Sequence, residues 1–84
     1  MYFLYFTAMP VKMNDIARII HEHRKAAGLT QKELADLAGI GKATVFDIEK
    51  GKETVRMINL LKVLEVLNLT LKLESPLETK ARQS

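Results

Sequence analysis

No cysteine occurs among the 84 residues, which excludes disulfides, thiolate metal sites and a cysteine nucleophile. A chain this short without covalent staples is held by one small core or by a second copy of itself, and it has no room for two independent cores. No apolar run reaches the roughly 18 residues of a membrane helix. The opening MYFLYFTAMPVKM lacks the basic start and small-residue cleavage site of a signal peptide. The expectation is a cytoplasmic protein with no membrane partner. Excess charge is also scarce: 13 Lys+Arg stand against 10 Asp+Glu, a net +3, which permits a nucleic-acid partner without requiring one.

Catalytic constellations are absent too. No Ser/His/Asp set sits in a glycine-rich elbow and no phosphate loop follows a strand. The carboxylates Glu33, Asp36, Asp47 and Glu49 each have a helical or ion-pairing task. His21 and His23 lie two apart on a helix and point to different faces, whereas shared metal ligation wants i and i+4. The chain is therefore expected to be no enzyme and to take no metal or cofactor.

What is present is helical periodicity. Aromatics are confined to Tyr2, Phe3, Tyr5 and Phe6, with Phe46 alone further on. Residues 1–12 read either as a short edge strand or as an extension upstream of a start at Met9 or Met13. From Asn14, the residues Ile16, Ile19, Ile20, His23 and Ala27 recur at helical spacing, predicting an amphipathic helix over about 14–27 closed by Gly28 as a left-handed cap. Thr30 and Glu33 form the T-x-x-E capping box of a second helix, about 31–38, with Leu34, Ala35 and Ala38 inward. Gly39 supplies a turn into a third helix, about 41–49, which Gly51 ends. Two short helices with glycine at the bend make a helix-turn-helix.

A fourth helix, about 57–67, is apolar over most of its circumference and so needs burial on more than one side. Val55 can staple its entry, although Arg56 is a poor cap. After Asn68 the period becomes two: Leu69, Leu71 and Leu73 alternate with Thr70, Lys72 and Glu74 until Ser75-Pro76. A lone apolar-faced strand is marginal. Pairing with its symmetry mate is the economical solution, predicting a homodimer joined by strand 69–74 and the surplus apolar surface of helix four. Residues 76–84 read as a polar, flexible tail.

Residues 28–51, GLTQKELADLAGIGKATVFDIEKG, resemble the helix-turn-helix of the phage-repressor (Cro/XRE) superfamily through LTQ-x-ELA, the turn at Gly39 and IE-x-G. The segment TVFDIE-x-G, followed by a LLKVLEVLNL helix and an LTLKLE strand, is similar to the HipB-type antitoxins, in which the terminal strand joins two protomers. The resemblance covers about 13–75. It implies a mainly helical, four- to five-helix phage-repressor-like domain over 13–68, with a C-terminal dimerisation strand over 69–75 that pairs across a homodimer.

By that resemblance helix three is the recognition helix, whose N-terminal residues enter the major groove. Gly41, Lys42, Ala43, Thr44 and Asp47 face outward, with Val45 and Ile48 inward. Lys42 can donate to guanine, Ala43 can touch a thymine methyl, and Thr44 can bond a base or a phosphate. Family members often carry Gln, Lys or Asn where Gly41 and Asp47 stand, so base readout is weaker at both; Asp47 either accepts from a cytosine amino group or repels phosphate. Thr30 and Gln31 open helix two, and Gln31 matches the position that holds a phosphate by side chain and backbone N–H. Lys32, Lys50, Lys52 and Arg56 are further phosphate candidates. Arg24 and Glu49 match a superfamily salt bridge.

The expected function is a dimeric, sequence-specific repressor that reads palindromic operator DNA through major grooves about 34 Å apart. The resemblance further implies a nucleoid-associated bacterial antitoxin that represses its own operon and holds a HipA-like serine/threonine kinase toxin inactive. A stand-alone phage or restriction-modification control repressor shares every DNA-contact residue. A protein-interaction module that has lost DNA binding is the alternative of another class.

Overall fold

A computed structural model describes residues 2–4 and 11–72. The expectations for Leu73, the end of the strand and the tail 76–84 lie outside the described residues. The elements run β1 (Tyr2–Leu4), α1 (Met13–Ala26), α2 (Gln31–Ala38), α3 (Lys42–Glu49), α4 (Met57–Val66) and β2 (Leu69–Leu71).

Local chemistry sets the helix boundaries. Asp15 accepts the backbone N–H of Lys12 at 3.0 Å, which opens α1. At α2 the capping box is complete: the Thr30 hydroxyl accepts the Glu33 N–H at 3.0 Å, and the Glu33 carboxylate accepts the Thr30 N–H at 2.9 Å. Those bonds, the backbone one first, hold the Glu33 carboxyl below its usual range. Gly39, at φ +72°, ends α2; the Ile40 N–H reaches back to the Ala35 carbonyl at 3.0 Å, a geometry L side chains avoid. Gly41 is not in the third helix but is its extended N-cap residue, at φ −76° and ψ 151°. Arg56 caps α4 without a side-chain bond, and Val55 packs beside the core.

The core gathers one face of each helix: Ile16, Ile19 and Ile20 of α1, Leu34 and Ala35 of α2, Val45 and Ile48 of α3, and Leu60, Val63 and Leu64 of α4. Two expected members of the α1 face differ. Ala27 is the exposed C-cap residue and His23 is half-buried, while Arg24 is the buried polar residue of this helix. Helix α4 buries a single side within the chain and leaves Met57, Ile58 and Leu61 exposed.

The expected C-terminal strand is present as β2. Among the described residues it spans Leu69–Leu71, and it pairs in parallel with β1 in the register Tyr2↔Leu69, Phe3↔Thr70, Leu4↔Leu71. Of the N-terminal stretch, Tyr2–Leu4 are described, and they form a strand. Within the chain β2 pairs with β1, and the four-helix unit between them is a connection long enough to return the chain for parallel pairing. Leu69, expected at a dimer seam, is 6% exposed and belongs to the chain's own core, with Leu71 packed partly against it.

Candidate nucleic-acid interface

The helix-turn-helix is positioned by one buried ionic cluster. The Arg24 guanidinium forks onto Glu49, Nε to Oε2 at 2.6 Å and Nη2 to Oε1 at 3.1 Å, and its Nη1 donates to the Leu29 carbonyl at 2.8 Å. Their side chains are 9% and 4% exposed. His21 Nδ1 lies 2.8 Å from Glu49 Oε1, and the Gln31 amide donates to the same oxygen at 3.3 Å. Burial opposes ionisation of Glu49, but the hydrogen bonds from Arg24, His21 and Gln31 and the charge of Arg24 outweigh it and hold this carboxyl below its usual range. The cluster ties α1, the start of α2 and the end of α3 together. No buried side-chain polar atom among the described residues lacks a partner.

At α2 the box uses the N–H groups of Thr30 and Glu33. Those of Gln31 and Lys32 open toward the helix N-terminus, where partial positive charge favours a phosphate. Thr30 keeps its hydroxyl hydrogen for an acceptor. The Gln31 side chain is oriented by Glu49, which fixes its amide beside that terminus.

On α3, Val45 and Ile48 are fully buried, as expected. Gly41, Lys42 and Ala43 are exposed, and Thr44 and Asp47 half-buried. No acidic residue lies in the first turn of α3 or α4, so the positive ends of both dipoles are left uncompensated near Lys42 and Arg56. Thr44, Asp47, Lys52, Thr54, Val55, Arg56 and Asn59 line one cleft of about 200 Å³. The structure thus brings Thr44 and Asp47 together with Lys52 and Arg56, and Lys52 Nζ lies 3.6 Å from Asp47 Oδ2.

Two of the phosphate candidates are engaged elsewhere. Lys32 Nζ is 3.0 Å from Asp36 Oδ2, one turn along α2. Lys50 Nζ lies over the Phe46 ring, 5.3 Å from its centre. Phe46 is the residue that sequence reasoning passed over. It is 47% exposed, and its spacing from Lys42 and Ala43, four and three residues on, already placed it on their face.

A helix-turn-helix with an exposed, cation-bearing third helix and two uncompensated helix N-termini defines a DNA-binding transcriptional regulator of the XRE type. The chain matches the helix-turn-helix family HTH_3 over residues 20–73 and belongs to it. It is similar to y4mF of Sinorhizobium fredii, an uncharacterized HTH-type transcriptional regulator, at 35% identity over 79% of this chain and 87% of the relative. A second such regulator, from Methanothermobacter thermautotrophicus, is 45% identical over 48% of this chain and 58% of the relative. Among solved structures, HipB in a HipA–HipB–O2–O3 complex superposes with a TM-score of 0.72 at 26% identity, covering 83% of this chain and 99% of HipB. The restriction-modification controller protein C.AhdI of Aeromonas hydrophila superposes at 0.62 and 31% identity, over 69% of this chain and 88% of the controller. Among the described residues no helix is long and apolar enough to cross a membrane.

Proposed function

We propose that this chain is a HipB-type antitoxin: a cytoplasmic, nucleoid-associated homodimer that binds a palindromic operator, represses its own operon and restrains a HipA-like serine/threonine kinase toxin. It acts by binding alone, without catalysis or cofactor. The observation that carries the reading is the reach of the HipB likeness. The four helices and their turns, residues 13–66, are under two thirds of the chain, so a match over 83% takes in residues outside them. The match to the controller protein, at 69%, scarcely exceeds the helical unit.

The dimer rests on exposed apolar surface. Met57, Ile58 and Leu61 lie at i, i+1 and i+4 on α4, 58%, 49% and 44% exposed, and the edge of β2 away from β1 carries no strand among the described residues. A second copy would cover both.

Co-purification tests the antitoxin role. The tagged full chain, expressed with the open reading frame beside its gene, is expected to retain a kinase-like protein. Retention of none would leave the stand-alone repressor. Sedimentation tests the dimer separately: the wild type is expected at twice the monomer mass and Leu61→Glu as a monomer, and a monomeric wild type would refute it.

A further inference from the structure

Phe46 is the one aromatic residue after Phe6, and it is left 47% exposed on the recognition helix. It is not among the side chains packed against the core. At about 100° per residue, the inward positions of α3 are Val45 and Ile48, and the opposite arc runs through Lys42, Phe46, Lys50, Ala43 and Asp47. Phe46 lies inside that arc, one turn beyond Lys42, and with Ala43 it makes a short apolar strip between two lysines. Lys50 holds its ammonium over the ring, 5.3 Å from the centre, a contact that orients the ring from its C-terminal side. About half of the ring remains open to solvent, on the face turned away from the core. A groove-facing apolar strip has a chemical counterpart on DNA, the C5 methyl of thymine, which the major groove exposes and which uracil lacks.

We infer that Phe46 is a specificity-determining residue that reads a thymine by apolar contact with its C5 methyl group, with Ala43 completing the strip and Lys50 positioning the ring. The inference rests on the chain's DNA binding, and it adds a base contact that Gly41 and Asp47 are ill suited to make.

The test uses the full chain and a duplex enriched by the wild type from a randomised pool. Each thymine of the half-site is replaced in turn by deoxyuridine, which removes a methyl group and alters no Watson–Crick edge. At one position the wild type is expected to lose about three- to five-fold in affinity, the worth of one buried methyl. Phe46→Ala is expected to bind the thymine and uracil duplexes alike. Phe46→Leu, which keeps an apolar surface, should retain most of the discrimination. Because Phe46 lies outside the core, both variants should stay folded, with only a small drop in unfolding midpoint, larger for Phe46→Ala than for Phe46→Leu. A flat uracil scan for the wild type, or the same uracil penalty in wild type and Phe46→Ala, would overturn the role of Phe46 while leaving DNA binding intact. Failure of the wild type to enrich any duplex would refute the DNA reading itself, and this inference with it.

Discussion

Arg24 and Glu49, 25 residues apart in the chain, meet in a two-pronged ion pair of 2.6 and 3.1 Å, with both side chains withdrawn from solvent. A buried pair of this kind is coupled to its surroundings asymmetrically. Replacing either partner alone leaves an uncompensated charge in a site largely withdrawn from solvent, at about 3–5 kcal/mol. Arg24→Met also deprives the Leu29 carbonyl of its guanidinium donor. Urea unfolding is expected to show such a loss for Arg24→Met and for Glu49→Leu singly, and a much smaller one for the double variant. A double variant as unstable as the sum of the singles would show that the two residues do not act as a pair.

The same cluster sets an acid limit. The folded Glu49 carboxyl titrates below its ordinary value of 4.5, so the unfolded chain binds the proton first on acidification. Its contribution to stability is therefore complete above about pH 4.5 and is lost as the pH falls through the lower, folded value. Urea midpoints between pH 7 and 3 are expected to start higher and fall more steeply for the wild type than for Glu49→Gln, with the gap between the two curves closing only below the unfolded value. Parallel curves would mean that another group carries the acid response.

The boundaries of α2 were legible because side-chain chemistry marks both ends, Thr30 with Glu33 at one and Gly39 at the other. The Arg24–Glu49 pair was legible through family resemblance alone, since no local period connects residues 25 apart. The β1–β2 pairing was not legible. A three-residue ladder specifies its partner through the path of the whole chain, and the alternating leucines of 69–73 identify a strand without identifying what it lies against. At the site, the engagements of the lysines, Lys32 with Asp36 and Lys50 with Phe46, are i,i+4 pairs that helical spacing permits, while the rotamer selects them over solvent.

Gly51 closes α3 at φ +77°, where the Gly51 and Lys52 N–H groups turn back to the carbonyls of Ile48 and Asp47. Alanine there incurs about 1–2 kcal/mol for the left-handed backbone. Its Cβ would also run into the Asn14 side chain on α1. Gly51→Ala is expected to lower the unfolding free energy by both effects, and Asn14→Ala in that background to restore only the second. Full restoration would locate the strain in the collision and not in the turn.

Lys42 stands exposed at the first position of α3 and is expected to read one base. Lys42→Ala should cost about 1–3 kcal/mol on the preferred duplex and level the affinities at one position of a single-base substitution series. A uniform loss across the series would reassign Lys42 to the phosphate backbone.

Lys52 and Arg56 share the cleft beside Asp47, but their losses should differ. Each phosphate contact removed lowers the salt slope by about one and weakens binding evenly across sequences, and Arg56→Ala is expected to do no more than this. Lys52 also screens the Asp47 carboxylate, 3.6 Å away, so Lys52→Ala removes a cation and uncovers an anion facing the DNA. Binding titrations between 50 and 200 mM salt should therefore show the larger loss for Lys52→Ala. Adding Asp47→Asn to that variant should recover the difference from Arg56→Ala, because it removes the repulsion without replacing the contact. If Asp47→Asn changes nothing in that background, the carboxylate is turned away from the phosphates, and its half-buried place on α3 serves the pairing with Lys52 alone.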